Sequence, residues 1–140
     1  SEYGIGSDVF SVTSFNELAR DGQDAARQNL LQPGVEPRVP YIANVMGSEP
    51  AIAATDYMKN YAEQVRAFIP AESYAVLGTD GYGRSDSREN LRTHFEVNRH
   101  YVVVATLNEL AKRGDVEPSA VTEAISKYEI DVNKPNPLFC

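Results

Sequence analysis

The sequence predicts an α/β domain with three layers, in which helices cover both sides of a mostly parallel sheet. Short apolar stretches such as "AIAAT" and "YAVL" suit strands that are buried on both faces, and helical stretches separate them. This alternation favours parallel strands joined by right-handed crossovers. The 140 residues, 42% of them hydrophobic and 24% charged, are typical of a single folded domain.

The first predicted strand is residues 8–13, "DVFSVT", where apolar and polar side chains alternate. Ser14 and Glu17 have the spacing of a capping box, so we expect a helix to begin there and to run to about Leu30. Residues 32–40 contain three prolines and a glycine, which predict a loop.

The middle of the chain begins with "YIANVM", which fits one helical turn, and continues with "AIAAT" at 51–55, a short buried strand. Thr55 or Asp56 can cap the next helix, which Pro70 ends. We expect its methionine and aromatic side chains to pack in the core, because apolar residues recur there at helical spacing: Tyr57, Met58, Tyr61, Ala62, Val65, Phe68 and Ile69.

The third predicted strand is "SYAVLGT", residues 73–79, which leads into a glycine-rich corner. Three further helices are expected: a short one marked by Leu91 and Phe95, one over 101–113 that Gly114 ends, and one that begins at Pro118 and carries Val121, Ala124, Ile125 and Tyr128. The tail "NKPNPLFC" is expected to be irregular, since two prolines interrupt it.

The corner "GTDGYGRSDSRENL", residues 78–91, has two interpretations. It follows the carboxyl end of a predicted parallel strand, where open α/β sheets bind ligands, so it is a candidate anion-binding site. The residues concerned are Gly81, Gly83, Arg84, Ser85, Ser87 and Arg88. Alternatively, the glycines form a turn and the serines, or Asp86 with Glu89, cap the next helix. The second interpretation is more economical, because the stretch matches neither the GxGxxG fingerprint nor the GxxxxGK(S/T) phosphate-binding loop.

A metal site would draw on Asp80 and Asn108. Thr79-Asp80-Gly81 followed by Asn108 approximates the motif in which an aspartate and an asparagine hold Mg²⁺ against thiamine diphosphate. The motif's first glycine is Thr79 here, and Asn108 falls within a predicted helix, so we interpret the match as a coincidence.

Other chemistry-bearing residues are not grouped in a catalytic pattern. His94 and His100 are six residues apart, which does not suit a zinc site, and we expect them at the surface or at helix boundaries. Glu109 and Asp115 resemble solvated positions. We therefore expect no catalytic, cofactor-binding or metal-binding residue on this chain.

Charge and composition limit the partners. The net charge is −7 and no basic stripe is present, so a nucleic acid is not an expected partner. No apolar run is long enough to cross a membrane and the first residues do not resemble a signal peptide, which predicts a cytoplasmic protein. Cys140 is the only cysteine. Ser1 is not a methionine, which suggests a piece of a longer chain.

Long strings of the sequence resemble one family word for word. They are "SVTSFNELARDGQD", "PRVPYIA", "ATDYM", "AEQVRAFIPAESYAVLGTDGYGRSDSRENLRTHFEV" and "YVVVATLNELAKRG". These strings closely resemble the C-terminal domain of the homodimeric, bacterial-type pyruvate dehydrogenase (acetyl-transferring) family. Its members are the thiamine-dependent first enzymes of the pyruvate dehydrogenase complex, and the resemblance covers nearly all of the chain.

The resemblance implies a transketolase-like C-terminal domain, residues 1–140, that lacks its first strand and helix. The implied role is support of the upstream domains and contact with the homodimer partner. In that context the corner residues become a candidate regulatory-anion site or interdomain contact: Gly81, Gly83, Arg84, Ser85, Ser87 and Arg88. Thiamine diphosphate and Mg²⁺ would belong to the full-length enzyme, which acetylates the lipoyl group of the dihydrolipoyl acetyltransferase component, and this fragment alone is expected to be inactive. The rival hypothesis is a stand-alone α/β module that binds a small anion or regulatory ligand.

Overall fold

The protein folds into helices around a small parallel sheet. A computed structural model describes residues 3–140. The elements are α1 (Phe15–Leu31), α2 (Tyr41–Val45), β1 (Ala51–Ala54), α3 (Lys59–Glu63), β2 (Tyr74–Leu77), α4 (Arg88–His94), α5 (Arg99–Arg113) and α6 (Pro118–Lys127), with 3₁₀ turns at Arg66–Phe68 and Pro137–Phe139. The predicted α/β class with a parallel sheet is confirmed.

The two strands pair in parallel, with Ala51 opposite Tyr74 and Ala54 opposite Leu77. Helix α5 lies against both strands, and α3 lies against β2. Because the strands run in the same direction, their carboxyl ends open onto one edge of the sheet. The loops at residues 55–58 and 78–87 leave the strands there.

Most predicted helix boundaries are confirmed. The Ser14 hydroxyl accepts a hydrogen bond from the backbone N–H of Glu17 and so caps α1. Gly114 ends α5 in a left-handed conformation with φ of 89°, where its N–H and that of Asp115 bond back to the last turn. Pro118 is the first residue of α6.

A buried cluster holds α1, α2 and the segment after α3 together. Its centre is Ala19, Ile42 and Val65, and partly buried neighbours include Phe68 and Tyr74. This packing requires a glycine at position 22, because a Cβ on Gly22 would overlap the ring of Phe68. The glycine that weakens α1 locally therefore lets the segment after α3 approach the helix.

The predicted strand at residues 8–13 is not formed. These residues are irregular, and within residues 3–140 the sheet consists of β1 and β2 alone. A strand needs a hydrogen-bonded neighbour as well as a suitable pattern, and no described strand lies beside this segment. Val9 is 91% exposed and Phe10 is 54% exposed, as expected for an extended segment that nothing covers.

The predicted helix over 57–69 is shorter than expected. It is α3, Lys59–Glu63, followed by a 3₁₀ turn, because Tyr74 Oη donates to the carbonyl of Ala62 where the helix would have continued. Ala62 and Val65 are buried as predicted, and Phe68 and Ile69 pack against the core, but the first part of the predicted core stripe is wrong. Tyr57, Met58 and Tyr61 are exposed, since they precede the packed part of the segment.

No helix in the described residues combines the length and the apolar character that a membrane crossing requires.

Candidate functional site at the carboxyl edge of the sheet

The two loops that leave the strands are bonded to each other. The N–H of Thr79 donates to the carbonyl of Tyr57 at 2.8 Å. The N–H of Lys59, at the start of α3, donates to Asp80 Oδ1 at 3.1 Å. The helix cap predicted from Thr55 or Asp56 is therefore supplied by a side chain 21 residues away. The Thr55 hydroxyl instead accepts from the N–H of Tyr57 and forms a local turn.

An ion pair joins the first loop to α4. Arg92 donates from Nε and Nη2 to the two carboxylate oxygens of Asp56, at 3.2 and 2.9 Å. These hydrogen bonds hold the pKa of Asp56 below its usual range and raise the pKa of Arg92. The carboxyl edge is thus built from three chain segments that fix one another.

The corner itself ends in a capped helix. The Ser87 hydroxyl accepts from the N–H of Asn90 at 3.2 Å and is the N-cap of α4. Asp86 Oδ1 accepts from Asn90 Nδ2 and from the N–H of Ser87, which lowers the pKa of the carboxyl. Two amides that an anion would use are therefore bonded to the protein's own side chains.

Gly81 is required by the way the C-terminal tail lies on the corner. Its φ is 90°, in the left-handed region. A Cβ at Gly81 would also overlap the carbonyl oxygen of Pro137 and press on Leu138. A hollow of about 110 Å³ remains between the end of β2, the end of α4 and the tail, with Lys59, Asp80, Glu96 and Asn136 in its lining.

The six residues of the predicted anion or interdomain site do not form one cluster of donors. Ser87 bonds to Asn90, and Arg84 Nη1 bonds to His94 Nδ1 at 3.2 Å. Gly81 packs against the tail, while Gly83 has open space around it. All six are exposed, including Ser85 and Arg88. The capped-corner interpretation accounts for Ser87, and the anion or interdomain role stays a prediction.

The residues of the thiamine-like motif lie apart from each other. Asp80 accepts from the backbone of Lys59, and its second oxygen is 4.0 Å from Lys59 Nζ. Asn108 lies within α5, donates to Glu109, and lines a shallow groove between α5 and α6 instead of the hollow beside Asp80. Across residues 3–140, no three His, Cys, Asp or Glu side chains are grouped as metal ligands would be.

Lys134 is a structural residue that the sequence did not reveal. Its ammonium donates to the carbonyls of Thr93 and His94 at 3.0 and 2.6 Å, at the end of α4. It also lies 3.2 Å from Glu96, which has a left-handed φ of 62°, and 5.7 Å from the ring centre of Tyr101. A lysine in a proline-rich tail gives no local signal of these contacts.

Glu109 also differs from its prediction. It is buried, not solvated, with 8% of its surface exposed. Lys112 donates to its carboxylate at 2.7 Å, and this hydrogen bond is the main reason that the pKa of Glu109 is lowered. His94 and His100 do lie at helix boundaries, the last position of α4 and the second position of α5.

These features define an α/β domain in which the loops at the carboxyl edge of the sheet bond to each other and to α4. The chain belongs to the transketolase-like TK C-terminal domain family, whose model matches residues 1–98. The sequence is similar to proteins called pyruvate dehydrogenase E1 component. It is 65% identical to that of Escherichia coli over 97% of the chain, 58% identical to that of Haemophilus influenzae over 99%, and 57% identical to that of Pseudomonas aeruginosa over 100%.

The matched part of each relative is small. The chain spans 15% of the Escherichia coli protein and 16% of the other two. It corresponds to their C-terminal region. The expected resemblance to the C-terminal domain of the bacterial pyruvate dehydrogenase family is therefore confirmed.

Proposed function

We propose that this chain is the C-terminal supporting and dimer-contact region of a pyruvate dehydrogenase E1 component. The observation that carries the proposal is the 65% identity with the Escherichia coli protein of that name over 97% of the chain. The parent enzyme would be cytoplasmic, would decarboxylate pyruvate and would acetylate the lipoyl group of the acetyltransferase component. Thiamine diphosphate with Mg²⁺ would supply the carbanion-stabilising chemistry.

The residues of this chain do not fit that cofactor. The Asp80 carboxylate is bonded at the start of α3 and faces Lys59, and Asn108 lies in a separate groove. A Mg²⁺ site needs convergent oxygen ligands with free lone pairs. We therefore assign the cofactor and the catalytic residues to the rest of the parent enzyme, and a non-catalytic role to this region.

Exposed apolar side chains support a contact role. Large apolar groups that face solvent together are typical of protein interaction surfaces. They occur here in three stretches: Val9, Phe10 and Val12 before α1, Val39, Tyr41 and Val45 around α2, and Tyr57, Met58 and Tyr61 after β1. We propose that these stretches contact the upstream domains and the second subunit.

The corner residues Gly81, Gly83, Arg84, Ser85, Ser87 and Arg88 are proposed as part of the interdomain contact. Arginine and tyrosine are enriched at protein interfaces, and Tyr82 between them is 81% exposed. The alternative is a stand-alone module that captures a small anion there. The side chains of Asp86 and Ser87 already occupy two of the required amides, so the interdomain contact is the better supported of the two.

Calorimetric titration of the purified chain tests whether this region binds the cofactor or a small anion. We expect no saturable heat with thiamine diphosphate and Mg²⁺, and none with inorganic phosphate. Saturable, Mg²⁺-dependent binding that an Asp80→Ala variant loses would contradict the non-catalytic role. Saturable phosphate binding that an Arg84→Gln, Arg88→Gln variant loses would favour the anion module.

A reconstitution experiment tests the supporting role. The Escherichia coli relative is prepared without its matching C-terminal segment, and the present chain is added. We expect the truncated enzyme to lose dimer stability and activity, and the chain to restore both in part. A Val9→Asp, Phe10→Asp chain is the control, because both side chains are exposed and their loss leaves the fold intact. A truncated enzyme that is a stable, active dimer would contradict the proposal, as would equal rescue by the control chain.

A further inference from the structure

His94 lies where the corner, the end of α4 and the C-terminal tail meet. Its Nδ1 is 3.2 Å from Arg84 Nη1 in the corner. Its backbone carbonyl accepts from Lys134 Nζ in the tail at 2.6 Å. Its ring meets the Phe95 ring edge to face, with centroids 4.8 Å apart. One residue therefore touches all three segments.

The contact with Arg84 fixes the protonation state of the imidazole. A guanidinium group can only donate hydrogen bonds, so Nδ1 must carry a lone pair and the ring proton must be on Nε2. Nε2 is buried and has no partner within the described residues. The neutral Nε2–H form is thus the only one that keeps the bond between His94 and Arg84.

Positively charged groups outnumber negatively charged groups around the His94 ring. Arg84 faces it from the corner and Lys134 faces it from the tail, while Glu96 is the acidic group near it among residues 3–140 and is already paired with Lys134 at 3.2 Å. A second proton on His94 would remove the acceptor for Arg84 and would add a third positive charge at this junction. Burial, Arg84 and Lys134 all lower the pKa of His94, while Glu96 raises it.

We propose that His94 is a proton-sensitive latch that joins the corner to the C-terminal tail. In its neutral form it accepts from Arg84, and its carbonyl receives Lys134. When it is protonated, Arg84 is released and repulsion between like charges weakens the hold on Lys134. The tail packs on Gly81 of the same corner, so the corner and the tail loosen together.

Proton NMR of the 140-residue chain measures the latch directly. The sequence has only two histidines, and a His100→Gln variant assigns the His94 signal. We expect the midpoint of the His94 titration to lie below the ordinary value of about 6.5. An Arg84→Gln variant should move this midpoint upward. A midpoint at or above 6.5 in the unsubstituted chain, or one that Arg84→Gln leaves unchanged, would overturn the proposal.

Hydrogen exchange tests whether the tail responds. The amides of Lys134 and Phe139 are bonded within the tail to Asp131 and Asn136. After correction for intrinsic rates, their protection should fall as His94 becomes protonated. His94→Gln is the matched control, because its side-chain carbonyl accepts from Arg84 but does not titrate. Equal pH dependence in both chains would overturn the proposal.

The Arg84→Gln chain gives a second test that does not depend on the folding of the His94→Gln variant. Its His94 midpoint and the pH at which tail protection is lost should move upward by the same amount. Protection that is lost at an unchanged pH would show that the tail does not respond to His94 and would overturn the proposal.

Discussion

Two irregular regions of the molecule differ sharply in how they are held. The corner region, residues 78–87, has almost no regular structure, yet residues 55–59 and α4 bond to it and the tail packs against Gly81. The N-terminal segment, residues 8–13, has the alternating pattern of a strand, yet its apolar side chains Val9, Phe10 and Val12 are exposed. In this molecule an irregular segment is held in place when other segments bond to it or pack against it. A strand-like sequence pattern without a neighbouring strand does not form a strand.

The same substitution in the two regions gives the largest expected contrast. Phe95 at the end of α4 is 6% exposed, and Phe10 is 54% exposed. Phe95→Ala should lower the free energy of unfolding by about 3–5 kcal/mol, because it removes a packed ring and leaves a cavity. Phe10→Ala should change it by less than about 1 kcal/mol. Urea denaturation with a common slope measures both.

Equal losses from Phe95→Ala and Phe10→Ala would contradict this comparison. They would mean that residues 8–13 pack in solution against something that the described residues do not include. Size-exclusion chromatography of the unsubstituted chain would then separate self-association from intramolecular packing.

A second contrast lies within the corner. Gly81→Ala should cost about 1–3 kcal/mol, because the residue has φ of 90° and a Cβ would meet the Pro137 carbonyl. Gly83→Ala should cost about 0.5 kcal/mol or less, since nothing lies within 4 Å of its Cβ position. Tail amide exchange should rise in the first variant only. A tail that stays protected in Gly81→Ala would show that the contact with Pro137 is not needed.

The helix cap gives a smaller effect. Ser87→Ala should destabilise α4 by about 1 kcal/mol, since the N–H of Asn90 loses its acceptor. Ser85→Ala is the control, because Ser85 is exposed and is not the cap residue. Circular dichroism with urea denaturation compares the two. Equal stability of both variants would mean that Asp86, which also bonds near this turn, is a sufficient cap.

Sequence reasoning worked where the controlling residues are neighbours in the chain. The Ser14 cap of α1, the left-handed Gly114 and the first-turn Pro118 are local signals, and all three are confirmed. The short strands β1 and β2 were also predicted, because buried apolar runs of that length have few alternatives.

Prediction from the sequence failed where the residue that determines an element lies far from it in the chain. The start of α3 is set by Asp80, and the break after it is marked by Tyr74, which donates to Ala62. Lys134 caps the end of α4 from 40 residues away. For the segment at 8–13 the pattern predicted a strand, but a strand also needs a neighbour. None of these contacts produces a periodic pattern in the sequence from which it could be predicted.

The smallest expected effect concerns the ion pair that ties the first loop to α4. Asp56 and Arg92 have side chains that are 57% and 43% exposed, so solvent screens their attraction and the coupling energy should be about 0.2–1 kcal/mol. A double-mutant cycle with Asp56→Asn and Arg92→Gln measures it at pH 7. Asp8→Asn combined with Arg92→Gln is the control from the N-terminal segment and should show no coupling.

The pH dependence of this pair has a definite sign. The bond from Arg92 lowers the pKa of Asp56 in the folded state, so the folded protein binds this proton less readily than the unfolded chain. The stabilisation is therefore complete above the unfolded pKa of about 3.9 and is lost as the pH falls through the lowered folded value. The measured coupling should persist from pH 7 to about pH 5, shrink below pH 4, and weaken in high salt. A coupling that grows on acidification would show that the charged pair does not hold the loop to α4.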